Sequence, residues 1–176
     1  LAAWASQVPP EFRFVMKASR RITHNQRLRD EDGSLAYFLR AVTPLGPRLG
    51  PTLFQLPPTF KKDAARLQEF LSRLPHRWPA AVEFRHDSWF DEEVYQLLRE
   101  RDVPLVAVDE KGEDGRGSPL VPTAGWGYLR LRRTDYDASA LARWVERILS
   151  QPWQHAYVFL KHEEGSPTGG LQPDPE

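Results

Sequence analysis

Residues 80–90 read AAVEFRHDSWF, and the parity of this run decides which kind of sheet the chain can build. Side chains alternate along a strand, so Val82 and Phe84 share one face while Ala81, Glu83 and Arg85 share the other. The first face suits packing under helices. The second carries a carboxylate and a guanidinium two residues apart, with His86, Asp87 and Trp89 following at once. A buried ion pair often costs more in desolvation than its attraction returns, so a functional site is one explanation for Glu83 and Arg85. A structural salt-bridge network is the other.

Working outward, similar runs recur on both sides. FRFVMKA (12–18) and PTLFQLP (51–57) precede it, and VPLVAVDE (103–110), WGYLRLRR (126–133) and HAYVFLKHE (155–163) follow. Between them apolar residues recur at helical spacing: Leu35, Phe38, Leu39 and Val42 behind a Ser34 cap, and Leu67, Phe70, Leu71 and Leu74 behind Thr59. Val94, Leu97 and Leu98 follow a start at Asp87 or Ser88, and Leu141, Trp144, Val145, Ile148 and Leu149 follow Asp137. Leu1 to Gln7 reads as a short helix, and residues 19–33 and 111–124 read as loops. The expected organisation is one domain over 1–165 and an unstructured tail over 166–176.

Six strands alternating with helices predict an α/β fold with a parallel sheet, an order that Rossmann-like and barrel closures both allow. Lys17, Gln55, Glu83 with Arg85, Asp109, Arg130 and Lys161 fall at or near the carboxyl ends of successive strands. An open doubly wound sheet gathers its ligand residues at a switch point, whereas every strand of a (β/α)8 barrel contributes to one site at the carboxyl rim. The distribution favours a barrel. No GxGxxG or GxxxxGK[ST] run follows any strand, so the sequence signatures of the dinucleotide-binding and P-loop alternatives are absent.

Composition sets outer bounds. The 176 residues are 40% hydrophobic and 27% charged, with 24 Lys plus Arg balancing 24 Asp plus Glu, so no global field favours nucleic acid or an anionic membrane. There is no cysteine to build a disulfide or a thiolate metal site, and no apolar run approaches the ~20 residues of a membrane span. A cytoplasmic protein is the default expectation. The start at Leu1, without Met or a basic-then-apolar leader, suggests a fragment of a longer protein.

FVMKASRRITH, LGPRLGPTLFQLPPTF, VEFRHDSWF, the YLRLRR strand and the closing FLKHEEG together resemble the DUF72 family, the YecE-like proteins. The resemblance runs in order from about Leu1 to Gly165, and QLPP with EFRHxSWF is its most specific part. It implies a TIM-type barrel of which strands three to eight are present, six of eight, with the first two strands and the end of the last helix lacking. The family is uncharacterised, so the resemblance implies fold rather than activity. Six strands leave two open edges, which predicts self-association or poor stability alone.

Glu83, Lys17 and Asp109 are the candidate catalytic residues. Glu83 would take or give a proton while Lys17 and Arg85 hold an anion and stabilise developing charge. Arg85, His86, His24, Gln55, Trp89, Arg130, Lys161 and His162 are the candidate ligand contacts. Arginine forks match phosphate and carboxylate oxygens, so a cationic mouth suits an anionic ligand. Each has a plainer alternative: His86 as a loop residue, Trp89 as packing under the next helix, Gln55 as architecture. No HExxH or paired-His spacing assigns a metal, and the cofactor is left open. The reading is a hydrolase or lyase acting on an anionic small molecule; the alternative is a non-catalytic binding module for a nucleotide or nucleic acid, and an inactive truncated barrel is a third.

Overall fold

The computed structural model describes residues 1–110 and 117–161. His162 and the 166–176 tail therefore lie outside the described residues. Each predicted strand run forms a strand, shorter at most ends than the sequence pattern: β1 (Phe14–Lys17), β2 (Leu49–Gln55), β3 (Ala80–Glu83), β4 (Ala107–Asp109), β5 (Trp126–Leu131) and β6 (His155–Leu160). All pairings are parallel, in two three-stranded sheets ordered β1-β2-β3 and β4-β5-β6. One bridge, Val82 with Leu105, joins them. There Val82 N donates to Pro104 O at 3.1 Å and Val106 N to Val82 O at 2.9 Å. The strands thus follow chain order from β1 to β6, and among the described residues they do not close into a ring.

β4 is short for a local reason. The buried Thr123 hydroxyl accepts from Leu105 N at 2.7 Å and donates to Val103 O at 2.8 Å, so a loop side chain replaces ladder partners at its start.

Five α-helices pack against the strands: α1 (Ala2–Ser6), α2 (Ser34–Val42), α3 (Ala64–Arg73), α4 (Glu92–Arg99) and α5 (Ala138–Leu149). Their starts correct three expectations. Thr59 does not cap α3; the chain first turns through Pro57–Phe60, and Asp63 accepts from Arg66 N at 3.0 Å. Ser34 is the first residue of α2 rather than its cap. Gly33 precedes it with φ 71°, while Asp32 accepts from Ser34 N and Asp30 from Leu35 N. Asp87 and Ser88 belong to a 3-10 turn, Asp87–Trp89, and Asp91 caps α4 by accepting from Val94 N at 3.0 Å. Asp137 caps α5 as expected, accepting from Ala140 N at 2.6 Å. The expected loop at 19–33 contains a π-helical turn, Arg21–Asn25, because Ile22 and Leu28 are buried and pin it to the core.

Strand parity splits the core in two. Phe54, Val82, Phe84 and Leu105 join Leu67, Phe70, Val94 and Leu98 of the helices in one cluster. Leu53, Ala81, Val106, Val108, Trp126 and Tyr128 form a second, on the opposite face of the strands. That face carries Glu83. Among the described residues β1 and β6 each pair on one side only. Phe12 is exposed just before β1, as are Phe159 and Leu160 on β6 and Leu149 on α5.

Candidate functional site

Glu83 ends β3 on the face of Ala81, with its side chain only 1% exposed. A carboxylate at such a depth must be compensated, and it is. Gln55 Nε2 donates to Glu83 Oε1 at 2.6 Å, and Arg130 Nη1 donates to Oε2 at 2.6 Å. Arg85 Nε lies 3.8 Å from Oε1. The parallel register places Gln55 beside Glu83, and Arg130 reaches across β4 from β5.

Lys17, at the end of β1, donates from Nζ to Gln55 Oε1 at 2.9 Å. This fixes the amide orientation, since only this rotamer offers oxygen to the ammonium and N–H to the carboxylate. Lys17, Gln55, Glu83 and Arg130 therefore form one polar chain across four strand ends. Gln55 is its relay, and the sequence alone assigned it mainly to architecture.

His24 comes to the same end of the sheet from the π-helical turn. Burial first, then the positive charges of Arg20, Lys17 and Arg85, hold its pKa below the ordinary 6.5, favouring the neutral imidazole. Thr23 Oγ1 lies 2.8 Å from His24 Nδ1 and 3.3 Å from Ser19 O. One hydroxyl proton serves both contacts only if it goes to Ser19 O and Nδ1–H donates to Oγ1, leaving Nε2 as the acceptor. Tyr128, on the face of β5 that carries Arg130, stacks on Phe159, and burial pushes its phenol up to about 12, with Arg130 opposing and Glu83 adding.

The structure turns Asp109 and Trp89 away from this group and gives His86 a local role. Asp109 has the parity of Leu105 and Ala107 and turns toward α5. It accepts from Tyr136 Oη at 2.7 Å and Trp144 Nε1 at 3.1 Å. The next residue, Glu110, points to the arginines instead, contacting Arg85 at 3.2 Å and Arg132 at 3.0 Å. Glu110, which shares the parity of Val106 and Val108, was missed. Trp89 is fully buried, stacked on Phe84 with centroids 4.6 Å apart, and its indole donates to Phe60 O. It belongs to the core and presents no face to a ligand. His86 Nδ1 accepts from Ser88 N at 3.1 Å and caps the 3-10 turn. Lys161 follows β6, its amide donating to Leu131 O at 2.8 Å.

Among the described residues, no three His, Asp or Glu side chains come together as a set that could hold a metal ion. A cavity of about 760 Å3, lined by Gly50, Trp78, Arg101, Trp126 and His155 among others, lies at the amino ends of the strands and holds none of the candidate residues. No described helix is long and apolar enough to cross a membrane.

The family model for DUF72, described as a protein of unknown function, matches residues 1–169. The chain belongs to the DUF72 family. Its relatives include the UPF0759 protein YecE of Escherichia coli K12, 33% identical over 114 residues, 61% of this chain and 42% of that protein. The UPF0759 protein YunF of Bacillus subtilis 168 is 30% identical over 143 residues, 75% of this chain and 48% of that protein. The match thus spans about half the length of these DUF72 relatives. Among solved structures, a DUF72 family protein from Thermotoga maritima superposes with TM-score 0.76 at 29% identity, over 88% of this chain and 68% of that one. A DUF72 family protein from Enterococcus faecalis gives TM-score 0.75 at 26% identity, over 93% and 76%.

Proposed function

We propose that this DUF72 chain is an arc of a TIM-type barrel whose carboxyl rim binds an anionic small molecule, and that it acts as a hydrolase or lyase on that molecule. The barrel reading is supported by the sequential all-parallel strand order, the Val82–Leu105 bridge between the two sheets, and the division of the core into a helix-facing and an opposite face. In barrels the site lies at the carboxyl ends of the strands, where Lys17, Gln55, Glu83 and Arg130 meet.

One observation carries the binding reading. Among the described residues, Lys17, Arg85, Arg130 and Arg132 gather around two carboxylates, Glu83 and Glu110, an excess of positive charge at this place in a chain of zero net charge. Such an excess favours phosphate or carboxylate, and the guanidiniums offer forked donors to it.

The roles divide by what each group already does. Both oxygens of Glu83 accept at 2.6 Å, so it anchors Gln55 and Arg130 and has little capacity left for a substrate proton. His24, held toward the neutral form and with Nε2 as its acceptor nitrogen, is the better base, flanked by Lys17 and Arg85, which would hold the anion beside it. The nucleic-acid alternative needed Trp89 as a stacking platform, and that ring is buried.

The test is a titration with inorganic phosphate and a panel of phosphorylated and carboxylated small molecules, followed by amide NMR shifts. Shifts centred on Lys17, His24 and Arg85, lost in Lys17→Met and Arg85→Gln, support the site. Shifts elsewhere, or none, remove it. Preferential binding of single-stranded oligonucleotide, falling steeply with salt, would favour the binding-module alternative.

A further inference from the structure

Arg85 and Arg132 stand just past the ends of β3 and β5 with the end of β4 between them, and the two oxygens of one carboxylate join them. Glu110 Oε2 is 3.2 Å from Arg85 Nη2, and Glu110 Oε1 is 3.0 Å from Arg132 Nη1. All three side chains are about one-third exposed, at 37%, 28% and 31% for Arg85, Arg132 and Glu110, so solvent and solutes reach the group. This differs from the Glu83 arrangement, in which the carboxylate is buried and held by the side chains of Gln55 and Arg130. Buried Glu83 is fixed architecture, whereas the more exposed Glu110 shares Arg85 with it and adds Arg132.

We infer that Glu110 is an internal occupant of the anion position, and that the ligand's anionic group binds by displacing its carboxylate from between Arg85 and Arg132. The inference rests on the anion-binding reading above and adds to it the position of the group and the ligand's charge. Two guanidiniums held by separate oxygens of one anion present the donor pattern that a tetrahedral oxyanion satisfies with two of its oxygens. A third oxygen is then left for Lys17 or His24. Among the described residues, these four cations stand with two carboxylates; displacing Glu110 leaves Glu83, paired with Arg85 and Arg130, as the remaining one. A phosphate dianion suits that excess better than a monoanionic carboxylate does. A monoanion would merely exchange one charge for an equal one already tethered in place. Glu110 would therefore act as a specificity filter, set against weak monoanions and yielding to a dianion.

The experiment is isothermal titration of the intact chain with inorganic phosphate and with acetate, in wild type, Glu110→Gln, Glu110→Ala and the double variant Arg85→Gln/Glu110→Gln, with circular dichroism confirming the fold of each. Loss of two partly exposed ion pairs predicts phosphate binding about 10-fold tighter in Glu110→Gln. Glu110→Ala should tighten it similarly, and acetate should become detectable in both. The gain should vanish in the double variant. Phosphate affinity unchanged or weaker in both Glu110 variants overturns displacement and makes Glu110 an organiser of the two arginines, while leaving the site standing. No phosphate binding by any variant overturns the anion-binding reading itself, and displacement with it.

Discussion

Glu83 is held by partners from two other strands, so its removal should be felt well beyond its own volume. Glu83→Gln keeps the shape but removes the charge that Arg130 and Arg85 face, leaving cations uncompensated in a poorly solvated position. Breaking such a pair costs about 3–5 kcal/mol, read as a lower urea midpoint. An unchanged midpoint would mean that Arg130 finds another partner. His24 makes stability depend on pH. Because burial and the neighbouring cations lower its pKa, protonation is harder in the folded than in the unfolded chain. Its effect is absent above the ordinary 6.5 and grows as pH falls below it. Stability should therefore drop more steeply below that pH in wild type than in His24→Gln, measured by thermal melts across pH. Parallel curves would contradict the placement. Bound phosphate should raise the His24 pKa, visible in its ring NMR shifts. The parity of Glu83 was legible at once because Val82 and Phe84 contrast with it. Asp109 was misplaced because VPLVAVDE is apolar at both parities, as a strand covered on both faces must be, so no alternation told which acid faces inward.

At the scale of elements, strands were legible in place and type, while the starts of α2, α3 and α4 were not. Runs such as PTLFQLP advertise a strand through burial on both faces, a property of the whole segment. A cap is one hydrogen bond, and Thr59, Asp63, Asp87 and Asp91 are all competent to make it. The structure chooses between them by how much chain is needed to turn back from a strand end. The choice is checkable: Asp63→Ala should cost about 1 kcal/mol by losing its bond to Arg66 N, whereas Thr59→Ala should stay within about 0.5 kcal/mol. Equal losses would mean that α3 begins earlier. The π-helical turn that carries His24 had no sequence signal, since its widened spacing arises where Ile22 and Leu28 are drawn into the core.

For the whole molecule, the exposed flanks of the strand array matter most. β1 and β6 each lack a neighbour on one side among the described residues, and Phe12, Phe159, Leu160 and Leu149 leave apolar surface there. Unpaired strand edges with apolar side chains recruit other strands. We predict concentration-dependent self-association in sedimentation velocity, reduced by Leu160→Lys; a monomer across the whole concentration range would contradict it. The parallel α/β class was legible from element order alone. The joining of the strands was not, because hydrogen-bond density between neighbours is not written in composition.

That density is lowest between β3 and β4, where the two sheets meet at Val82 and Leu105. The molecule therefore has a seam, and the Arg130–Glu83 pair is a strap laced over it from β5 to β3. The Val106 amide, which bonds to Val82 O, reports on this seam and should exchange with deuterium faster than the Leu129 amide inside the β5 ladder. An anion gripping both Arg85 and Arg132 would add a second lace, and slower exchange at Val106 would then record its arrival from the far side of the strand.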